Sequence, residues 1–148
     1  MEYRFEGLLT YIDRPSDRAP SGSRGHRVII TRNAASGALT SLIGKPVNVR
    51  EVTFDNHDKT NLKGEICEAW IDGNTVRVRG VVRNVDGTPL APNHPRHEDL
   101  GMSYELGETR IENLRASVWR VTETNFTGAA VLYRSKAAYQ ETRFEICQ

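Results

Sequence analysis

The chain has 148 residues, with 20 Lys and Arg against 19 Asp and Glu, a formal net charge of +1, 38% hydrophobic and 26% charged residues. A chain of this length buries roughly two-thirds of the surface its unfolded form exposes, so a single domain spanning 1–148 builds its core without disulfides or metal. Near-neutral charge removes the electrostatic case for a nucleic-acid or membrane-surface protein. The longest apolar runs, Val28-Ile29-Ile30 and Gly128-Ala129-Ala130-Val131-Leu132, fall far short of the roughly 20 residues of a membrane-spanning helix. Two cysteines far apart, Cys67 and Cys147, and an N-terminus without an apolar stretch point to an intracellular protein with reduced thiols.

In chain order, Tyr3, Phe5, Gly7, Leu9 and Tyr11 share one parity, the period of a half-buried strand. Asp13 to Gly25 is rich in Pro, Gly and Ser and reads as an exposed, mobile loop. His26 to Arg32 is β-rich. Asn33 then caps a helix carrying Ala35, Leu39, Leu42 and Ile43, closed by Gly44 and Pro46. From Pro46 the pattern is mostly β: Val47 to Phe54, Gly64 to Ile71, Thr75 to Asn84, Gly101 to Leu106 and Ser117 to Thr124. A two-residue turn at Gly73-Asn74 pairs Ile71 with Val76, Ala69 with Val78 and Cys67 with Gly80, and sets Trp70 and Glu68 against Arg77 and Arg79. Leu90 to Asp99, with two prolines, is a second mobile loop. Arg134 to Tyr139 suggests one or two helical turns, and Thr142 to Ile146 a last short strand.

The chain has no paired Cys-x-x-Cys and no His-Glu-x-x-His, so no metal and no cofactor is expected. His94 and His97, with Glu98 and Asp99, lie in a proline-rich loop that does not fix ligand directions. Arg77, Arg79 and Arg83 share a strand face that either binds an anionic partner or is simply solvated with Glu68 and Trp70 opposite. His57, in Phe54-Asp55-Asn56-His57-Asp58, and Ser103, in Gly101-Met102-Ser103-Tyr104-Glu105-Leu106, are each unremarkable alone. A serine hydroxyl becomes a nucleophile when a neutral imidazole accepts its proton and the imidazole has an orienting partner on its other nitrogen. Residues 57 and 103 have the types for the first two roles.

The order of His57-Asp58, a hairpin with Glu68-Ala69-Trp70-Ile71, Leu100 to Leu106, Phe126 to Leu132 and Lys136-Ala137-Ala138-Tyr139 resembles the prohead (capsid maturation) proteases of tailed bacteriophages, which are similar in fold to the herpesvirus assemblins. The resemblance implies an α+β fold, a mostly antiparallel β-barrel with a few short flanking helices. It implies a serine endopeptidase with Ser103 as nucleophile and His57 as base. The substrates would be phage scaffolding protein and major capsid protein, cleaved inside the assembling prohead in the host cytoplasm, and the enzyme a possible homo-oligomer. The third role in that family falls to a histidine or acidic residue downstream of the serine, which makes Glu123 the expected partner of His57. Glu123 also shares the parity of Val121, the side expected to face inward. Asp58 and His97 are its alternatives. Thr127 and Gly128, in a glycine-bearing turn, are candidates for the oxyanion hole, as is the backbone around Ser103. Members of that family usually continue into a long helical scaffolding segment, so the resemblance implies either a protease domain of a longer product or a separately encoded scaffold. Two other readings stand beside it: a non-catalytic head-assembly protein of the same fold, and a β-barrel binding module that uses the arginine face.

Overall fold

The computed structural model describes residues 1–51 and 53–147. Among these, eight strands form one curled sheet: β1 (Glu2–Tyr11), β2 (Arg27–Ile30), β3 (Pro46–Asn48), β4 (Leu62–Asp72), β5 (Thr75–Arg83), β6 (Leu100–Ile111), β7 (Val118–Tyr133) and β8 (Arg143–Cys147). A short helix, α1 (Arg32–Ala38), follows β2. The protein is therefore mostly β with little helix.

The long strand β7 organises the sheet. Along one edge it pairs antiparallel with β6, and along the other it pairs parallel with β2 at Val118 to Val121 and with β3 at Ala129 and Ala130. From β3 the sheet continues through β4, β5 and β1 to β8 by antiparallel ladders. The expected mostly antiparallel barrel is met in its mostly antiparallel ladders and departs from expectation in two respects. The sheet is mixed, because β2 and β3 run the same way along β7 and need the intervening α1 as a crossover. It is also open, because β6 and β8 meet without forming a ladder. At this seam the Met102 N–H donates to the Thr142 hydroxyl at 3.0 Å, so a side chain satisfies an edge group that no strand reaches.

Inside the curl, Phe5, Leu9, Ile30, Leu42, Ile66, Phe126 and Tyr139 are fully buried. Ala34, Ala35 and Ala38 bring α1 close to this core. The helix is capped by Thr31 rather than Asn33: the Thr31 hydroxyl accepts from the Ala34 N–H. After Ala38 the chain tightens into a 3-10 turn over Leu39–Leu42 and leaves through Gly44, at φ +81°.

The β4–β5 hairpin has the expected register from Asp72 to Glu68, then a bulge sets Ile66, not Cys67, opposite Gly80. The extra residue reverses parity, which turns Ile66 into the core and leaves Cys67 exposed. On the outer face the arginines are matched by carboxylates: Arg77 with Asp72, Arg79 with Glu6 and Glu68, and Arg83 with Glu2. That internal neutralisation favours a solvated face over an anion-binding one.

Neither polar loop is the bare segment its composition implied. The Ser16 N–H donates to the Val28 carbonyl, its hydroxyl accepts from the Val28 N–H, and Asp17 N–H reaches Ala138. In 90–99, Leu90 and Ala91 are buried, and His97 sets its ring edge against Phe144 while bonding the Pro89 carbonyl. Composition reports the polarity of these loops but not their backbone partners. No helix among the described residues is long and apolar enough to cross a membrane.

Gly80 marks a close approach of β4 and β5: a Cβ there would lie 2.0 Å from the Glu65 carbonyl oxygen. Because backbone cannot yield as a side chain can, Gly80→Ala should lower the denaturant midpoint by an amount equivalent to about 1–3 kcal/mol. An unchanged midpoint would show that the two strands do not approach this closely.

Candidate active site

The strand β6 alternates. Met102 and Tyr104 face the core, while Ser103 and Glu105 face the opposite side. Ser103 stands opposite Ala130 of β7, and Ala130 in turn lies opposite Asn48 of β3, so these three occupy one row across the sheet. Glu105 lies opposite Gly128. A Cβ on Gly128 would sit 2.6 Å from Glu105 Oε1. The missing side chain is what lets the carboxylate lie across β7.

Once across, Glu105 Oε2 receives two partners. Asn48 Nδ2 donates to it at 2.6 Å, and His57 Nδ1 lies 2.6 Å away. Asn48 is fully buried and uses its amide completely: Nδ2 also donates to the Ala129 carbonyl, and Oδ1 accepts from the Asp58 N–H at 2.9 Å. One side chain therefore ties the carboxylate to the backbone that carries the histidine. That backbone is held again at Phe54, a buried residue at φ +49° whose ring packs on Tyr133 and whose carbonyl accepts the Tyr133 N–H.

The His57 and Glu105 side chains are only 12% and 8% exposed. Burial pushes the Glu105 carboxyl up, but the hydrogen bonds from His57 and Asn48, with the charges of His57 and Lys59, outweigh it and hold the group below its ordinary value. An ionised carboxylate on Nδ1 fixes the ring and its tautomer and leaves Nε2 for proton transfer. Ser103, 5% exposed, shares the face of Glu105 two residues upstream, and its hydroxyl makes no hydrogen bond among the described residues, to His57 or any other group.

A cleft of about 410 Å³ opens beside the pair. Its walls are apolar, formed by Leu106 and Ile111 of β6, Trp119 and Val121 of β7, and Val28 of β2, with Ser21 and Arg24 of the first loop across from them.

Glu123 is not the partner of His57. A bulge between Val121 and Glu123, where Ile111 pairs with Val121 but Arg110 with Glu123, shifts the inward parity to Thr124. Glu123 is left 71% exposed, 3.5 Å from Arg110. The alternatives are also occupied elsewhere. The Asp58 carboxylate takes the Thr60 N–H and hydroxyl, which hold it below its usual range, and His97 is bonded to Pro89. The oxyanion candidates both lie in β7. Thr127 is exposed, and Gly128 lies against the Glu105 carboxylate, where a developing anion would be repelled. Glu105 and Asn48 escaped sequence reasoning. The sign for Glu105 was its parity with Ser103; the sign for Asn48 was an amide between two valines. Among the described residues no three His, Cys, Asp or Glu side chains come together to hold a metal.

No protein-family model matches the chain, and no curated protein matches it either. Among solved structures, the varicella-zoster virus protease is similar with a TM-score of 0.41 and 13% sequence identity, over 92% of this chain and 67% of that one. A likeness at that level bears on no residue and no reaction of this chain.

Two variants probe the carboxylate. In Gly128→Ala the added methyl would lie 2.6 Å from Glu105 Oε1 and 3.2 Å from the Pro46 carbonyl oxygen, so it should lower stability as it displaces the carboxylate from its donors, while any His57-dependent activity falls about a hundredfold. In Glu105→Gln a carboxyl with a lowered folded-state value is lost. Its stabilisation is complete above the ordinary value of 4.5 and disappears as pH falls through the lower folded value. The stability gap between wild type and Glu105→Gln, followed by urea unfolding, should therefore be largest above pH 4.5 and shrink below it. A gap independent of pH would show that Glu105 is not held ionised.

Proposed function

We propose that the protein is a serine endopeptidase in which Ser103 is the nucleophile, His57 the general base and Glu105 the carboxylate that orients it. The observation that carries this reading is the contact between Glu105 and His57 Nδ1, buried beside an apolar cleft, with an unengaged serine hydroxyl on the same strand face. In the reaction His57 Nε2 takes the proton of the Ser103 hydroxyl as Oγ bonds to the substrate carbonyl carbon. The imidazolium, stabilised by Glu105, then returns that proton to the amine that leaves when the peptide bond breaks. Water, activated by the same imidazole, releases the acyl group.

The resemblance to prohead proteases supports a more specific role, the cleavage of scaffolding protein and major capsid protein within an assembling phage head in the host cytoplasm. One observation favours a second reading, a non-catalytic assembly protein of similar fold: Ser103 is almost wholly buried and carries no hydrogen bond to His57. Catalytic contacts of this kind often tighten only when substrate binds.

Fluorophosphonate labelling distinguishes the two. Wild type should be labelled at Ser103 and should cleave peptides, whereas Ser103→Ala and His57→Ala should each lose at least about 10³-fold in turnover, without additivity in the double variant. Absence of both label on Ser103 and peptide cleavage would favour the non-catalytic reading, and undiminished cleavage by Ser103→Ala would remove Ser103 from the nucleophile role.

A further inference from the structure

The cleft beside His57 has a mouth as well as walls. Three left-handed residues, Gly22 at φ +84°, Arg24 at +54° and Gly25 at +83°, bend the chain sharply there. Buried Ser23 anchors the bend through its hydroxyl, which contacts the carbonyls of Pro20 and His26 at 2.7 Å. Arg24 is the one of the three that carries a Cβ, and in this strained conformation the exposed residue lines the cleft. It has no ion pair and no hydrogen bond among the described residues. Five strand arginines, Arg77, Arg79, Arg83, Arg110 and Arg120, have carboxylates instead.

Behind this free cation the wall is fixed. The Trp119 indole donates to the Leu114 carbonyl at 3.1 Å and stacks on His26 with centroids 4.3 Å apart. Tyr104 also lines the cleft, and its buried hydroxyl has no partner among the described residues. An apolar wall, two exposed cations without ion pairs among the described residues, Arg24 and Lys59, and a proton-transfer pair alongside fit one kind of ligand.

We propose that this cleft is the substrate site: it takes a bulky apolar side chain of an extended peptide against Trp119, while Arg24 engages an acidic residue close by in the same peptide. The assignment rests on the peptidase reading for its purpose but not for its chemistry, since apolar burial and charge pairing act whether or not a bond is broken. Trp119 sets the size of the accepted side chain. Arg24 selects for charge, and its contribution weakens as salt rises.

Binding to the Ser103→Ala, Trp70→Phe protein tests this, because only two tryptophans exist and Trp119 then reports alone. A peptide with Phe and a neighbouring Glu should change Trp119 fluorescence. Its affinity should fall at least tenfold when Phe becomes Ala or Glu becomes Lys. Added Arg24→Glu should weaken the Glu peptide to a similar extent and restore the Lys peptide. Equal binding of all three peptides, or no response from Trp119, would overturn the assignment. Selective binding with no labelling of Ser103 would leave the site standing and remove the peptidase reading. Labelling and cleavage without selectivity would do the reverse.

Discussion

The arrangement depends on one buried carboxylate. Glu105 has left water, and a charge in that position is tolerated only with hydrogen-bond donors in place. Asn48 and His57 supply them, both at 2.6 Å on the same oxygen. Because Asn48 belongs to β3, Glu105 to β6 and His57 to the segment before β4, this cluster also joins three parts of the chain that no single ladder connects. The site and the packing of this side of the sheet are therefore one structure, and a change that frees the carboxylate must disturb both.

Small departures from regular β geometry make that contact possible. Gly128 leaves β7 without a side chain where the carboxylate crosses. Phe54 adopts a left-handed backbone to return the chain toward Tyr133, and Arg24 does so at the cleft mouth. The bulge after Val121 rotates Glu123 out to Arg110. Each costs local stability, and all lie within or beside the same site. Bulges and strained dihedrals are expected where side chains must be aimed rather than merely packed.

Much of the fold was legible because it follows local rules. Alternation located β1, β4 and β5, and Gly73-Asn74 located their hairpin turn. What sequence could not supply was the phase of alternation after a bulge. In a regular strand Glu123 would turn inward with Val121, and the one extra residue between them turns it out. The same blindness paired Cys67 with Gly80. His57 and Ser103 were visible as residue types, whereas Asn48 becomes meaningful only when β3 lies parallel to β7, a pairing between segments far apart in sequence. The sheet's mixed character was hidden for the same reason, since parallel neighbours leave no turn between them to read.

The central claim is that Ser103, His57 and Glu105 act as one unit. A crystal structure of the protein after reaction with a peptidyl phosphonate tests it most directly. The account predicts phosphorus bonded to Ser103 Oγ, His57 Nε2 within hydrogen-bond reach of that adduct, and Glu105 still on Nδ1. Phosphorus on a hydroxyl that lines the cleft, such as that of Ser21, or an adduct on Ser103 with His57 turned away from it, would contradict the account.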